Sequence, residues 1–303
     1  MSLLKLLIIG HGSQAKAWAS NLKKSGHECT IYLREESKSI PIAEKNGFSV
    51  LTNKGIRGLL NYDCIILLTP DDTHEEIISI LSPYLKNETK LVYAHGFSLH
   101  SRSLNKVFPK FSHLLLAPKA IASEVKCLFE KKKPIPAAYS LEFSKNISKD
   151  SELLMLLAQG VGMTGNLVQT TFKEEMICDL FSEQSLLCSA LPFIMKKSYD
   201  SLTEAGVSRE LAFLECCIES KFIINTILGV GFNKFFEMIS PNALIGAEHA
   251  TNRLFDEEFQ KKLNELLGDI SDNSFLEKIK TSNVDTIRKK MVSLYSEGDI
   301  EDT

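Results

Sequence analysis

What the 303-residue sequence lacks narrows its class first. It has no surplus of positive charge: 35 Lys and Arg against 38 Asp and Glu give a formal net charge of −3. A general electrostatic attraction to nucleic acid or to an anionic membrane is thereby excluded. Its seven cysteines include no C-x-x-C spacing and mostly sit inside apolar runs, the pattern of buried, reduced thiols in a cytosolic protein. No stretch reads as long and apolar enough to span a bilayer. The N-terminal run 3–9 is too short for a signal core, is broken by Lys5 and leads straight into a glycine turn. Internal repeats and low-complexity segments are absent, and the acidic tail 296–303 is expected to fray. The length suffices for two ordinary domains, and 44% apolar with 24% charged residues suits a globular, cytoplasmic protein with a real core. Small molecules and further copies of the chain itself are the expected partners.

The first half alternates apolar strands with helical or turn sequence, which predicts a parallel, doubly wound α/β sheet. Strands are expected at 3–9, 29–33, 48–51, 64–68, 90–93 and 137–141, the last closing the first domain, with a helix at 149–159. Strand 3–9 ends in Gly10-His11-Gly12-Ser13-Gln14-Ala15 and a helical pattern follows. Strand, glycine turn and helix in that order form a phosphate cradle, because small residues admit the backbone and a helix N-terminus favours an anion. Strand 29–33 ends in Arg34, with Ser37 and Ser39 behind it. A guanidinium and two hydroxyls suit a ribose 2′-phosphate, so NADPH is favoured over NADH, although Glu35 or Glu36 facing the ribose would reverse that choice. Ligands bind beyond strand C-terminal ends, which carry Pro70-Asp71, His95-Gly96-Phe97 and Ala117-Pro118-Lys119. His95 suits a proton donor or orienter and Lys119 a support for a ketone or alkoxide, with a structural histidine and a surface lysine as the plain alternatives.

After Gly165 the pattern turns helical nearly to the end. Helices at 172–189 and 209–224 each carry two carboxylates one turn apart, Asp179 with Glu183 and Glu215 with Glu219. Both pairs share stripes with apolar residues (Met176 and Leu186; Leu211, Ala212 and Phe222), so they are expected against the core. No Lys or Arg four residues away on the same helix neutralises them. Oxygen-only clusters suit a hard divalent cation, Mg²⁺ first. Acids on solvated helix faces are the alternative for either pair alone.

The run 170–184, with Thr170-Thr171-Phe172, Glu174-Glu175, Asp179 and Glu183, resembles the metal-binding segment of ketol-acid reductoisomerases. Gly12-Ser13-Gln14, Arg34 with Ser37 and Ser39, His95-Gly96-Phe97, Pro118-Lys119 and Glu215 with Glu219 fall in the same order at similar spacing. The resemblance implies the short form of the family: a Rossmann domain (1–170) bearing the NADP(H) site and an all-helical, knotted domain (171–303) that forms a homodimer or higher oligomer. It further implies two Mg²⁺ ions per site on Asp179 and Glu183, completed by Glu215 and Glu219 of a second copy, with Ser240 on the substrate. The reaction implied is alkyl migration in 2-acetolactate or 2-aceto-2-hydroxybutyrate and reduction to the 2,3-dihydroxy acid, a step of branched-chain amino acid biosynthesis. The chain departs from the family pattern at Ala120-Ile121-Ala122, where Gly-Pro-Gly is usual, at Ser182, at Ser98 and after Ser240. Two other functions therefore stand beside the first: a diverged reductase of another 2-keto acid, and a catalytically silent nucleotide-binding homologue.

Overall fold

A computed structural model describes residues 3–272 and 274–295. The chain divides into two compact units, the first ending at Met176 and the second beginning at Ile177. The expected tail 296–303 lies outside the described residues.

The first unit is built on β1 (Lys5–Ile9), β2 (Glu28–Tyr32), β3 (Ser49–Leu51), β4 (Cys64–Leu67), β5 (Lys90–Tyr93), β6 (Ser112–Pro118), β7 (Ala137–Phe143) and β8 (Leu167–Gln169). They form one sheet in the order β3-β2-β1-β4-β5-β6-β7-β8. Every pairing is parallel except that of β6 with β7. Helices α1 (Ser13–Lys24), α2 (Ile40–Lys45), α3 (His74–Leu81), α4 (Phe97–Arg102), α5 (Leu104–Val107), α6 (Ala122–Glu130) and α7 (Ile147–Val161) connect the strands. One core holds Trp18, Leu22 and Leu154 and a second holds Tyr93, Phe111 and Phe172. Burial on both faces is why β1, β4 and β5 read as unbroken apolar runs rather than alternating ones. The strand order reverses between β1 and β4, so their C-terminal ends open the crevice in which such sheets hold ligands.

The strand at 137–141 was expected to be the last, yet β8 follows it and pairs parallel to β7. Gly162 (φ +98°) ends α7 and returns the chain to the sheet. Three residues, Leu-Val-Gln, are too few for a periodic signal.

α8 (Phe172–Ser182) leads into the second unit, which continues as α9 (Ala190–Glu204), α10 (Arg209–Phe213), α11 (Glu219–Val230), α12 (Phe232–Met238), α13 (Pro241–Leu254), α14 (Glu257–Ser271), α15 (Ser274–Thr281) and α16 (Val284–Tyr295). The expected helices 172–189 and 209–224 are not regular throughout. A wide π turn occupies Glu183–Leu187 and another Leu214–Ile218, each touching a carboxylate pair. Such turns insert an extra residue into the helical ladder and concentrate at functional sites.

Three further expectations are corrected. Glu183, Glu215 and Glu219 are exposed rather than held against the core, and only Asp179 is half-buried, because this unit has little interior. Its buried residues among those described are Lys196, Tyr199, Ala212 and Ile270, while Leu186 is 53% and Phe222 60% exposed. Of the seven cysteines only Cys64 is buried, and Cys178 and Cys188 are exposed. The stretch Phe172–Glu204 is, by length and composition, apolar enough to cross a membrane, contrary to the reading of the sequence. Charged residues lie at both of its ends, from Lys173 to Glu175 and from Lys196 to Glu204, with only Asp179 and Glu183 between them, and its most apolar part is not buried within the chain.

Candidate functional site

The glycine turn is shaped by close approach on one side and open space on the other. A Cβ on Gly10 (φ +96°) would stand 2.8 Å from Thr69 Cγ2 and 3.1 Å from the Leu68 carbonyl, so only glycine fits between β1 and β4. A Cβ on Gly12 would meet nothing within 4 Å. Gly12 precedes α1, whose first turn has no acid and no side-chain cap, leaving bare N–H groups for an anion beside Ser13. Gln14 Nε2 donates to the Ala120 carbonyl at 3.3 Å and so ties this turn to the loop after Lys119. His11 behaves differently. It is buried, edge-on to Phe48, with neither ring nitrogen partnered, and burial together with Lys16 lowers its pKa. It lines an open groove of about 850 Å³ with Ser13, Lys16 and Lys126.

At the end of β2, Arg34 is exposed and shares one turn with Ser37 and Ser39. The Ser37 amide donates to the Arg34 carbonyl (3.0 Å) and the Ser39 amide to Ser37 Oγ (3.3 Å). Glu35 is turned aside: its Oε1 accepts the Lys54 amide proton at 2.7 Å, which holds the carboxyl below the ordinary range.

The ends of β4, β5 and β6 bring three of the expected side chains together, around a fourth that was not expected. Glu175, on α8, has a side chain only 1% exposed. Its Oε1 lies 2.7 Å from Lys119 Nζ and its Oε2 accepts the Gly96 amide proton at 2.6 Å. His95 Nε2 stands 3.9 Å from the same Oε2, and His95 Nδ1 stands 3.9 Å from Asp71 Oδ2. Gly96 is obligatory here, since a Cβ would fall 2.2 Å from the Phe172 carbonyl. Burial pushes the Asp71 carboxyl up, but His95, His74 and the Ser98 amide more than offset this and leave it lowered. Pro70 is exposed at the start of the same turn.

Glu175 had a signal in the sequence: it lies one turn before Asp179 on the face of Phe172 and Met176. Nothing there named Lys119 as its partner, because the pairing joins residues 56 apart. His74 and Ser98 were also missed as parts of this region. They meet beneath Asp71 through a buried 2.7 Å bond.

Of the remaining residues, Asp179 lies one turn beyond Glu175 on α8, Glu183 opens the first π turn, Glu215 lies inside the second, and Glu219 follows it. Among the described residues, no group of three or more metal-ligating atoms includes Glu183, Glu215 or Glu219. Ser240 is the exposed N-cap of α13, its Oγ accepting from the Ala243 amide at 3.2 Å. A glycine turn with bare amides fits a dinucleotide phosphate; the four carboxylates are the donor type Mg²⁺ takes, but among the described residues of one chain they are not gathered into one set.

Comparison with known proteins agrees with this geometry. Residues 1–166 match the family described as acetohydroxy acid isomeroreductase, NADPH-binding domain, and residues 172–302 match ketol-acid reductoisomerase, C-terminal domain. The chain is 33% identical over 304 aligned residues to the ketol-acid reductoisomerase (NADP(+)) of Corynebacterium urealyticum, covering 99% of this chain and 89% of that one. It is 32% identical to that of Sulfolobus acidocaldarius, covering 90% and 82%. A solved NADH-preferring ketol-acid reductoisomerase from an uncultured archaeon superposes with a TM-score of 0.76 at 25% identity, covering 96% of this chain and 88% of that one. A two-domain match along nearly the whole length, with the glycine turn, His95 and Lys119 at the ends of adjacent strands, means that the chain belongs to the ketol-acid reductoisomerase family of oxidoreductases.

Proposed function

We propose that this chain is an NADPH- and Mg²⁺-dependent ketol-acid reductoisomerase, converting 2-acetolactate or 2-aceto-2-hydroxybutyrate to the 2,3-dihydroxy acid in the cytoplasm. The observation that carries the reading is the Lys119–Glu175–His95 cluster at the mouth of the sheet, beside a turn suited to a dinucleotide. The seven free cysteines fit a reducing compartment.

The NADP(H) residues are Gly10, His11, Gly12, Ser13, Gln14, Arg34, Ser37, Ser39, Pro70 and Asp71. The choice of NADPH rests on Arg34 and the two serines sharing one turn while Glu35 is held by the Lys54 amide. A guanidinium meets a 2′-phosphate there, and the carboxylate that would favour a ribose diol is turned away.

Asp179 and Glu183 would hold two Mg²⁺ ions together with Glu215 and Glu219 of a second copy. The exposed apolar surface of the helical unit, Leu186, Leu211, Phe222 and Leu228 among it, calls for that second copy. When bound, Mg²⁺ would supply Lewis acidity at the substrate oxygens and NADPH would supply the hydride. The chain itself handles position and protons. Glu175 keeps the Lys119 ammonium fixed, and Lys119 faces the oxygen that becomes an alkoxide as the alkyl group moves. His95, between two carboxylates, holds the proton leaving the substrate hydroxyl and returns one to the reduced product. Ser240 spends an acceptor lone pair on its helix cap and keeps its O–H to donate to the substrate carboxylate.

A second reading, reduction of another 2-keto acid with a weakened migration, is favoured by the loop after Lys119, where Ile121 is 70% exposed and Ala120 is tied to Gln14. The test is oxidation of NADPH by the purified chain with 2-acetolactate, with Mg²⁺ and after chelation by EDTA, and with NADH in its place. Mg²⁺-dependent turnover that prefers NADPH supports the proposal. Turnover with other 2-keto acids but not with 2-acetolactate favours the second reading.

A further inference from the structure

We infer that Asp71 is the positioning residue for His95, and that a buried His74–Ser98 clasp fixes Asp71 for that task. The inference rests on the reading of His95 as the proton-handling side chain.

The clasp has one consistent assignment of protons. His74 is 3% exposed, with Nε2 3.0 Å from the Thr69 carbonyl and Nδ1 2.7 Å from Ser98 Oγ. A carbonyl only accepts, so Nε2 carries the hydrogen. Nδ1 is then the acceptor, and the Ser98 hydroxyl donates to it. Burial lowers the pKa of His74 despite the nearby Asp71, which keeps this neutral tautomer in place. Both ends of the bond are thus fixed without solvent.

Ser98 is fully buried and its backbone amide points at Asp71, donating to Oδ1 at 3.1 Å. The turn from Thr69 to His74 is braced as well, with Thr73 Oγ1 donating to the Pro70 carbonyl at 2.7 Å. Asp71 therefore has one oxygen engaged by a rigid backbone and the other, Oδ2, directed to His95 Nδ1 at 3.9 Å. His95 stacks on Phe97 (interplanar angle 25°), which limits rotation of the ring plane. An imidazole with Nδ1 toward a fixed carboxylate presents Nε2 to the side of Glu175 and Lys119. At metal-bound histidines, removing the group that orients the ring through its far nitrogen typically costs about 10- to 100-fold in affinity or activity, and a loss of that size is expected for the same kind of contact here.

The test compares wild type with Asp71→Asn, which keeps an oxygen for the Ser98 amide, and with Ser98→Ala, which removes the donor to His74. Four quantities are read: kcat and KM for 2-acetolactate, NADPH affinity by fluorescence quenching without substrate, thermal midpoint, and the His95 Nδ1 resonance in ¹⁵N-histidine-labelled protein at one fixed pH, assigned with His95→Gln. The inference expects kcat at saturating NADPH to fall about 10- to 100-fold in Asp71→Asn, whatever that variant loses in NADPH affinity, with the melting temperature nearly unchanged and the His95 Nδ1 signal displaced. Ser98→Ala should displace the same signal less. An unmoved His95 resonance, with NADPH affinity weakened and kcat at saturating NADPH unchanged, would overturn it and make Asp71 a cofactor residue only. Absence of wild-type turnover with 2-acetolactate would count against the proposed reaction alone. The His95 resonance would still decide the positioning role: a displaced signal in Asp71→Asn supports it and an unmoved one overturns it.

Discussion

Glu175 and Lys119, 56 residues apart in the chain, meet at 2.7 Å, with the carboxylate almost wholly buried and the ammonium partly open to solvent. A buried carboxylate is costly without a partner, so this pairing fixes both the helix that carries Glu175 and the strand end that carries Lys119. Lys119→Met should leave Glu175 with the Gly96 amide and the more distant His95 ring but no ammonium, lowering stability by roughly 2 kcal/mol. Glu175→Gln should cost less stability and still reduce kcat. Urea unfolding with parallel kinetics separates the two effects, and equal stability loss in both variants would contradict the charge argument.

Gly96→Ala should be poorly tolerated, because its Cβ would stand 2.2 Å from a backbone carbonyl that no side-chain rotation relieves. Overpacking of this kind costs about 1–3 kcal/mol or more. Gly12→Ala meets open space and should fold normally. Comparison of the two melting temperatures checks the distinction, and NADPH affinity of the second variant reports whether the bare face of that turn is the cofactor's.

Arg34→Ala should weaken NADPH by about 10- to 100-fold, the worth of a charge-assisted bond to phosphate, while leaving NADH affinity within a few-fold. Equal loss for both cofactors in fluorescence titrations would show that Arg34 does not face a 2′-phosphate.

Stability should fall as the solution is acidified from pH 6.5 towards pH 4, with His113 a principal contributor. Tyr93 Oη bonds its Nδ1 at 2.9 Å and its Nε2 lies 3.1 Å from the Phe108 carbonyl, so the ring is held neutral, and burial lowers its pKa from 6.5 to about 4. The unfolded chain takes up this proton below pH 6.5 while the folded one resists until about pH 4. The stabilisation is thus complete above pH 6.5 and lost on descending through that window, about 3 kcal/mol at 1.36 kcal/mol per pH unit. His113→Gln should flatten the pH dependence of unfolding between those limits.

The sequence made the sheet legible because β1, β4 and β5 are covered on both faces, so their runs are apolar without interruption. It made β8 illegible because three residues carry no period. His95, Lys119 and Asp71 were found as strand-end residues, a position that has chemical meaning in this architecture. Glu175 was not found, since its role depends on a partner from another element, and neither was the His74–Ser98 bond. The helical unit was misread for a related reason. Period 3.6 places Glu183 and Glu219 on apolar stripes, but a stripe says nothing of what covers it, and within this chain little does. The π turns at 183–187 and 214–218 leave no composition signature at all.

The most direct test is the identity of the product formed from 2-acetolactate with NADPH and Mg²⁺, read by proton NMR. Alkyl migration followed by reduction gives 2,3-dihydroxy-3-methylbutanoate, with both methyl groups on one carbon and no coupling to a neighbouring proton. The account predicts that product, and its loss in Asp179→Asn and Glu215→Gln. Appearance of 2,3-dihydroxy-2-methylbutanoate instead, with one methyl split by the new carbinol proton, would contradict it and leave a simple ketone reductase.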